Sequence, residues 1–291
     1  MKKTNNARWM LMASMAIFGT LGPFVRNISV SSGELALYRA VMAAVLIGCF
    51  LLLTGQKIPL GEIRKSLPLL LISGMAMGFN WILLFEAYKY TTVSVATLSY
   101  YFAPVLVTAV CPSLFREKMT GKQIVCFLMS TLGLVLITGI GDMDTGSSHF
   151  TGILFGLGAA VLYASVILLN KFIKNVEGFH RTFLQFLAAI VVLAPYVAAT
   201  SGVTLGGMDG IGWICLIFIG VVHTGVAYCL YFSSLKEIPG QKAAILSYID
   251  PLVAVLISVT VLHESMTLWQ AVGGMLILGF TLWNELGDNK K

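Results

Sequence analysis

Apolar runs, each about as long as one membrane crossing and parted by short polar breaks, take up nearly the whole chain. A helix needs about 20 mostly apolar residues to span the hydrocarbon core. By that measure the sequence predicts ten helices, over 8–26, 34–54, 67–88, 94–115, 122–140, 151–170, 181–200, 211–233, 241–262 and 268–285. The runs far exceed the roughly 9 to 11 residues of a barrel strand. The pattern therefore gives an all-α membrane protein of ten transmembrane helices, with nothing left over for a soluble domain.

The pattern also repeats. Residues 85–125 lie without a gap on 232–272, an offset of 147 that sets Lys89 on Lys236, Ala96 on Ala243, Tyr101 on Tyr248, Pro104 on Pro251, Glu117 on Glu264, Met119 on Met266, Thr120 on Thr267 and Gln123 on Gln270. The same offset sets Gly78 on Gly225 and Thr54-Gly55 on Ser201-Gly202. Each copy reads as an apolar helix broken by one proline, a Glu-x-Met-Thr turn and a further apolar helix. A repeat of this kind sets the architecture: residues 1–140 and 151–285 form two five-helix halves, and 286–291 form a cytoplasmic tail. Five is odd, so the second half enters the membrane from the side opposite to the first. Inverted repeats of this kind mark many secondary transporters, whose substrate sites lie near the bilayer midplane between the halves.

Composition agrees, with 57% hydrophobic and only 11% charged residues against about 25% charged in ordinary globular domains. Of the 19 lysines and arginines, only Arg26, Lys89 and Arg39 fall outside the termini and one alternating set of loops. The positive-inside rule then places both termini in the cytoplasm. The net charge of +6 is thus an orientation signal, and no nucleic-acid partner is expected. The start, MKKTNNAR before a long apolar run with no small-residue cleavage site, reads as an uncleaved first span. Cys49, Cys111, Cys126, Cys215 and Cys229 all sit in apolar runs without a C-x-x-C pair, so neither a disulfide framework nor a metal site is expected. No Walker A, H-E-x-x-H or G-x-S-x-G motif occurs, which argues against ATP-driven transport by this chain and gives no cofactor. Small-residue ladders at Gly152, Gly156, Ala160 and Ala164 and at Ala36, Ala40 and Ala44 predict close helix contacts, within a monomer or across a homodimer.

Ionisable groups inside spans are rare and costly, which makes each a functional candidate. Asp250, beside Pro251 in the ninth span, has Ala103 as its repeat mate, so the carboxylate is present in one half only. Pro104 and Pro251 each remove a backbone donor and are expected to kink their helices and open carbonyls. A carboxylate at that depth can bind an ammonium group or take up a proton, or simply pair with a neighbouring Tyr, Lys or backbone group. His223 in the eighth span is a second candidate for proton coupling, since histidine titrates near neutral pH, or a hydrogen-bonded packing residue. Arg39 and Glu86, near the outer ends of the second and third spans, are expected to meet as a structural ion pair or an outer gate. The Arg39 fork alternatively suits a substrate carboxylate.

Trp81 and Asn80, Tyr101 between Tyr100 and Phe102, Tyr163, and Tyr248 beside Asp250 are the expected substrate contacts, with Tyr228 a further deep aromatic. As repeat mates, Tyr101 and Tyr248 are expected to face the shared axis from opposite halves. Aromatic faces with one carboxylate suit an organic cation, whereas Trp9, Trp213, Trp269 and Trp283 fit interfacial belts. Glu117 and Glu264 are expected to cap the helix after each turn, a structural role.

The twin turns Glu117-Lys-Met-Thr and Glu264-Ser-Met-Thr, Gly273 and Gly279 behind the second turn, Pro104 and Pro251, and Arg39 in LALYRAVMAAVL resemble the drug/metabolite transporter superfamily in its ten-helix, two-repeat EamA form. The resemblance covers nearly the whole chain, with Cys126 standing where the second half has Gly273. It implies a transporter of small organic solutes, often an exporter of amino acids or other metabolites, working by alternating access in the plasma (inner) membrane of a bacterium. Asp250 and His223 lie outside the general pattern, so their assignment to substrate or proton rests on the residues themselves. The chain thus reads as a secondary active transporter of an amino acid or related solute, with export the expected direction and protons a candidate coupling ion. Spans one to four and six to nine are expected to line its cavity, with spans five and ten peripheral. The aromatics around Asp250 keep open a carrier of organic cations or quaternary amines, for uptake or drug efflux. From a different class, a lipid scramblase would need a polar lateral groove, and a membrane-embedded enzyme a cluster of acid, base and nucleophile.

Overall fold

The computed structural model describes residues 2–55, 60–115, 119–138, 148–173, 176, 178–235, 237–238, 243 and 246–286, and no strand occurs among them. Each predicted span carries helix. Span 1 is Lys2–Gly19 continued after Thr20 by Leu21–Arg26, span 2 is Ser32–Leu53, span 3 Leu60–Tyr90, and span 4 Val93–Tyr100 with Ala103–Phe115. Span 5 is Gly121–Thr138, span 6 Ser148–Phe172, span 7 Gly178–Thr200, span 8 Gly210–Leu235, span 9 Ile249–Thr260 and span 10 Leu268–Leu286. Spans 1 to 4 and 6 to 8 are long and apolar enough to cross a membrane, while spans 5 and 9 hold shorter apolar helices.

Local chemistry accounts for where the helices start and stop. Ser31 and Glu34 form a reciprocal capping box at the head of span 2, and Thr92 and Asp209 accept backbone N–H bonds at the heads of spans 4 and 8. Spans 2 and 7 each end next to a glycine at φ +64°, Gly55 and Gly202, repeat mates in the left-handed conformation that only glycine adopts without penalty. The two prolines behave alike. Span 4 breaks at Tyr101–Phe102 and resumes with Pro104 in its first turn, and span 9 starts at Ile249 with Pro251 in its first turn. Proline is tolerated there because its missing N–H would have no intrahelical partner.

The Glu-x-Met-Thr turns differ from expectation. Span 10 is headed by Thr267 and Gln270, whose side chains each accept the other's backbone N–H, and Thr120 and Gln123 do the same at span 5. Glu264 is thereby freed from capping its own helix and reaches into the other half. Glu117 lies outside the described residues.

The helices pack as if the halves could be exchanged. Mates pack on mates in the pairs 2 and 7, 4 and 9, and 5 and 10. Span 3 lies on spans 6 and 7 as span 8 lies on spans 1 and 2, and span 4 touches span 6 as span 9 touches span 1. The ladder on span 6 is used inside the chain, Gly152 lying against Thr91 and Gly156 against Ser99. The span 2 alanines Ala36, Ala40 and Ala44 are likewise buried in the main core cluster. Outward faces carry exposed apolar side chains such as Leu52, Val191 and Met275, as a lipid-facing surface requires.

Candidate functional site

Between the halves lies a cavity of about 370 Å³ walled by side chains from spans 1 to 4 and 6 to 9. Five of the six expected substrate contacts, Asn80, Trp81, Tyr101, Tyr163 and Asp250, line it together with Arg39. Tyr100, stacked on Tyr163 at 5.2 Å, and Tyr228, edge-on to Phe18 at 5.2 Å, complete an aromatic wall.

Asp250 sits where the break in span 9 meets the break in span 4. The Tyr101 hydroxyl donates to its carboxylate at 2.6 Å, which joins the two halves across the cavity. Gly19 of span 1 packs against the Asp250 carbonyl so closely that an added Cβ would stand 2.5 Å from it. The main chain carrying the carboxylate is therefore held by span 1 as well.

Arg39 is 4% exposed and lies over Trp81, its guanidinium carbon 4.4 Å from the ring centroid, with Phe85 at 5.9 Å. Its Nε has no hydrogen-bond partner. Among the described residues no carboxylate is within 4.0 Å of it. The buried guanidinium is thus held by cation-π contact, with no carboxylate in direct contact. Its repeat mate is Phe186, which packs on the same Trp81 at 5.5 Å. The cation of the first half and the carboxylate of the second thus each stand opposite an apolar mate, which makes the cavity asymmetric.

Two expected placements are corrected. Arg39 does not meet Glu86, which pairs with Lys89 at 3.1 Å on the outside of span 3; a turn of helix offers Glu86 a nearer, solvated partner. Tyr248 does not face Tyr101 but lines a separate apolar groove of about 390 Å³ with Leu252, Val255 and span 10. The break in span 4 covers two residues and that in span 9 one, and a single residue turns a helical side chain by about 100°, so the mates diverge. His223 is fully buried outside the cavity, its Nε2 3.0 Å from Thr20 Oγ1 and its ring edge-on to Phe24 and Phe218. It belongs to a π-helical segment, Ile219–Val226, whose wider turn aims it at the break in span 1.

Other polar groups in the lining were not anticipated. Arg181 stands in the first turn of span 7 and lines the cavity, although by position it reads as a loop charge. Near it Gln185 donates to Ser73 and, at 2.8 Å, to Asn170. Asn80 donates to the Ala159 carbonyl at 2.6 Å and so ties span 3 to span 6. No group of metal-binding side chains occurs among the described residues.

A polar, asymmetric cavity enclosed by two exchangeable bundles of apolar helices defines a multi-span membrane transporter. Comparison with known proteins agrees. The profile of the EamA-like transporter family matches twice, over residues 6–139 and 150–284, and the chain belongs to that family. It is 30% identical to the uncharacterized transporter YxxF of Bacillus subtilis over 95% of this chain and 88% of that one. An uncharacterized transporter of Archaeoglobus fulgidus is 28% identical over 94% and 95% of the two chains. A solved crystal structure with 18% identity covers 94% of this chain and 95% of its own at a TM-score of 0.66, a likeness of fold. The protein is a transporter, not an enzyme, and its setting is the plasma (inner) membrane.

Proposed function

We propose that the chain exports a zwitterionic, amino-acid-like metabolite by alternating access, in exchange for protons. The observation that carries this reading is the pairing, in one cavity, of a carboxylate at Asp250 and a buried guanidinium at Arg39 that makes no direct ion pair among the described residues. Arg39 takes the substrate carboxylate through its planar fork. Asp250, held by Tyr101, takes the ammonium, and the tyrosines beside it wall the remainder of the solute. The ammonium and a proton compete for Asp250, so substrate leaving on one side and a proton returning from the other are coupled through a single group. His223, bonded to Thr20 away from the cavity, is a packing residue in this reading.

Both termini lie in the cytoplasm by the distribution of lysine and arginine. The cavity lining then runs to the cytoplasmic ends of spans 6 to 8 at Asn170, Arg181 and Phe232. Residues 1–140 and 151–285 are the moving halves. A carrier of organic cations is the second reading, favoured by the aromatic wall around Asp250; Arg39 in the same cavity opposes it, since a cation there meets a fixed positive charge in low dielectric. The groove beside Tyr248 offers a lipid headgroup Gln270 as its polar side chain besides the tyrosine itself, which disfavours a scramblase.

The test is transport in proteoliposomes loaded with amino acids, polyamines or quaternary amines under an imposed proton gradient. Gradient-driven movement of an amino acid that is lost in Asp250→Asn supports the reading. Movement of quaternary amines alone contradicts it.

A further inference from the structure

We propose that Arg26 and Glu264 form the latch of one mouth of the cavity, an ion pair that breaks whenever the cavity opens on that side. Arg26, at the end of span 1, pairs with Glu264 of the loop between spans 9 and 10, and among the described residues this is the one ion pair that joins the halves. Each partner also holds other helix ends. Arg26 donates to the carbonyls of Thr91 at 2.6 Å and Tyr88 at 3.2 Å. The Glu264 carboxylate accepts the Val93 N–H at 2.8 Å and the Ser258 hydroxyl. One pair of side chains therefore ties the ends of spans 1, 3 and 9 to the start of span 4.

The position of the pair relative to the cavity gives it this role. Tyr88 lines the cavity, its hydroxyl 3.4 Å from Thr97 of span 4, and its carbonyl accepts from Arg26. The knot thus lies directly behind the part of the cavity wall that Tyr88 forms. A second cross-half tie stands beside it, with the Thr91 hydroxyl 2.7 Å from His149 at the head of span 6. At the other end the lining extends to Asn170, Arg181 and Ser247.

Ion pairs near a membrane surface add little static stability, but one whose two sides belong to opposite bodies biases an equilibrium between open and closed arrangements. A pure cap would need only the Glu264 to Val93 bond; the guanidinium bridging the carbonyls of Tyr88 and Thr91, at and just past the end of span 3, closes the remaining gap. The inference rests on the alternating-access reading above, and its orientation is tested separately.

The experiment uses the full chain with its five cysteines replaced and one reporter cysteine at Leu84, on the cavity wall one turn from Tyr88. A membrane-impermeant maleimide is applied to intact cells and to inside-out vesicles. With the pair intact, the reporter is expected to label from the side of Asn170 and Arg181. In Arg26→Gln and in Glu264→Gln, labelling from the latched face is expected to rise roughly tenfold, the shift that loss of about 1.4 kcal/mol produces, and the exchanged pair Arg26→Glu with Glu264→Arg is expected to restore the original rate. Unchanged access in folded neutral variants overturns the latch and leaves a permanent clasp. Should those variants fail to fold, Glu264→Asp, which keeps the charge but draws the carboxylate back by one methylene from Arg26, is read in the same way, and unchanged access overturns the proposal again. A rise confined to inside-out vesicles supports the latch and overturns the proposed orientation instead.

Discussion

In the proposed reading Arg39 and Asp250 divide recognition between two charges of opposite sign that make no direct ion pair, since Arg39 is stacked on Trp81 while Asp250 accepts from Tyr101. A substrate bearing both charges can satisfy both. Arg39→Gln is expected to weaken binding of carboxylate-bearing substrates roughly 10- to 100-fold, the equivalent of about 1.5–3 kcal/mol for a charge-assisted bond, as read by isothermal titration calorimetry. Arg39→Lys should recover only part of the loss, because an ammonium cannot make the fork. Asp250→Asn is expected to retain folding while abolishing the dependence of transport on an imposed proton gradient, measured with a pH-sensitive dye inside proteoliposomes. Both residues are legible in the sequence as costly charges within apolar spans. Their partners are not, because Trp81 and Tyr101 come from other helices and ring stacking leaves no periodic trace. Arg181 was obscured for a different reason, since a cation at a helix start looks like one more loop charge.

At the level of the helices, the repeat locates the breaks that build the site, while their depth comes from packing. Pro104 and Pro251 mark both interruptions, yet the one-residue difference in their length turns Tyr101 inward and Tyr248 toward an apolar groove. Sequence alignment of the halves cannot register such a rotation. Gly55 and Gly202, by contrast, were visible as mates and are conformational necessities at φ +64°. Substituting alanine at either is expected to cost about 1 kcal/mol, seen as a lowered apparent Tm in detergent with substrate affinity preserved. Gly19→Leu should do more. Its side chain would collide with the Asp250 carbonyl and Val253, parting span 1 from span 9, so that both Tm and substrate affinity fall in the same titration series.

The whole molecule consists of two halves whose main contacts with each other survive their exchange and whose chemistry does not. In the proposed reading, exchangeable packing would let the halves adopt a second arrangement of similar energy, which alternating access requires. On the same reading the charges at Arg39 and Asp250 make that machine selective. The fold follows from apolar length, the 147-residue offset and the parity of five. Which solute it carries depends on a few side chains brought together from eight helices, so the sequence names the machine more readily than the cargo. The most direct measurement compares, for the amino acid that binds best, three ligands on the purified protein: the zwitterion, its methyl ester, which keeps only the ammonium, and its N-acetyl form, which keeps only the carboxylate. Thermal stabilisation at equal concentrations reads the affinities, a ligand at 100 times its Kd adding about 2.7 kcal/mol. The account predicts the zwitterion to stabilise most, the ester to lose nothing further in Arg39→Gln, and the N-acetyl form to lose nothing further in Asp250→Asn. An ester that binds as well as the zwitterion, with Arg39→Gln indistinguishable from the unaltered protein, would contradict it.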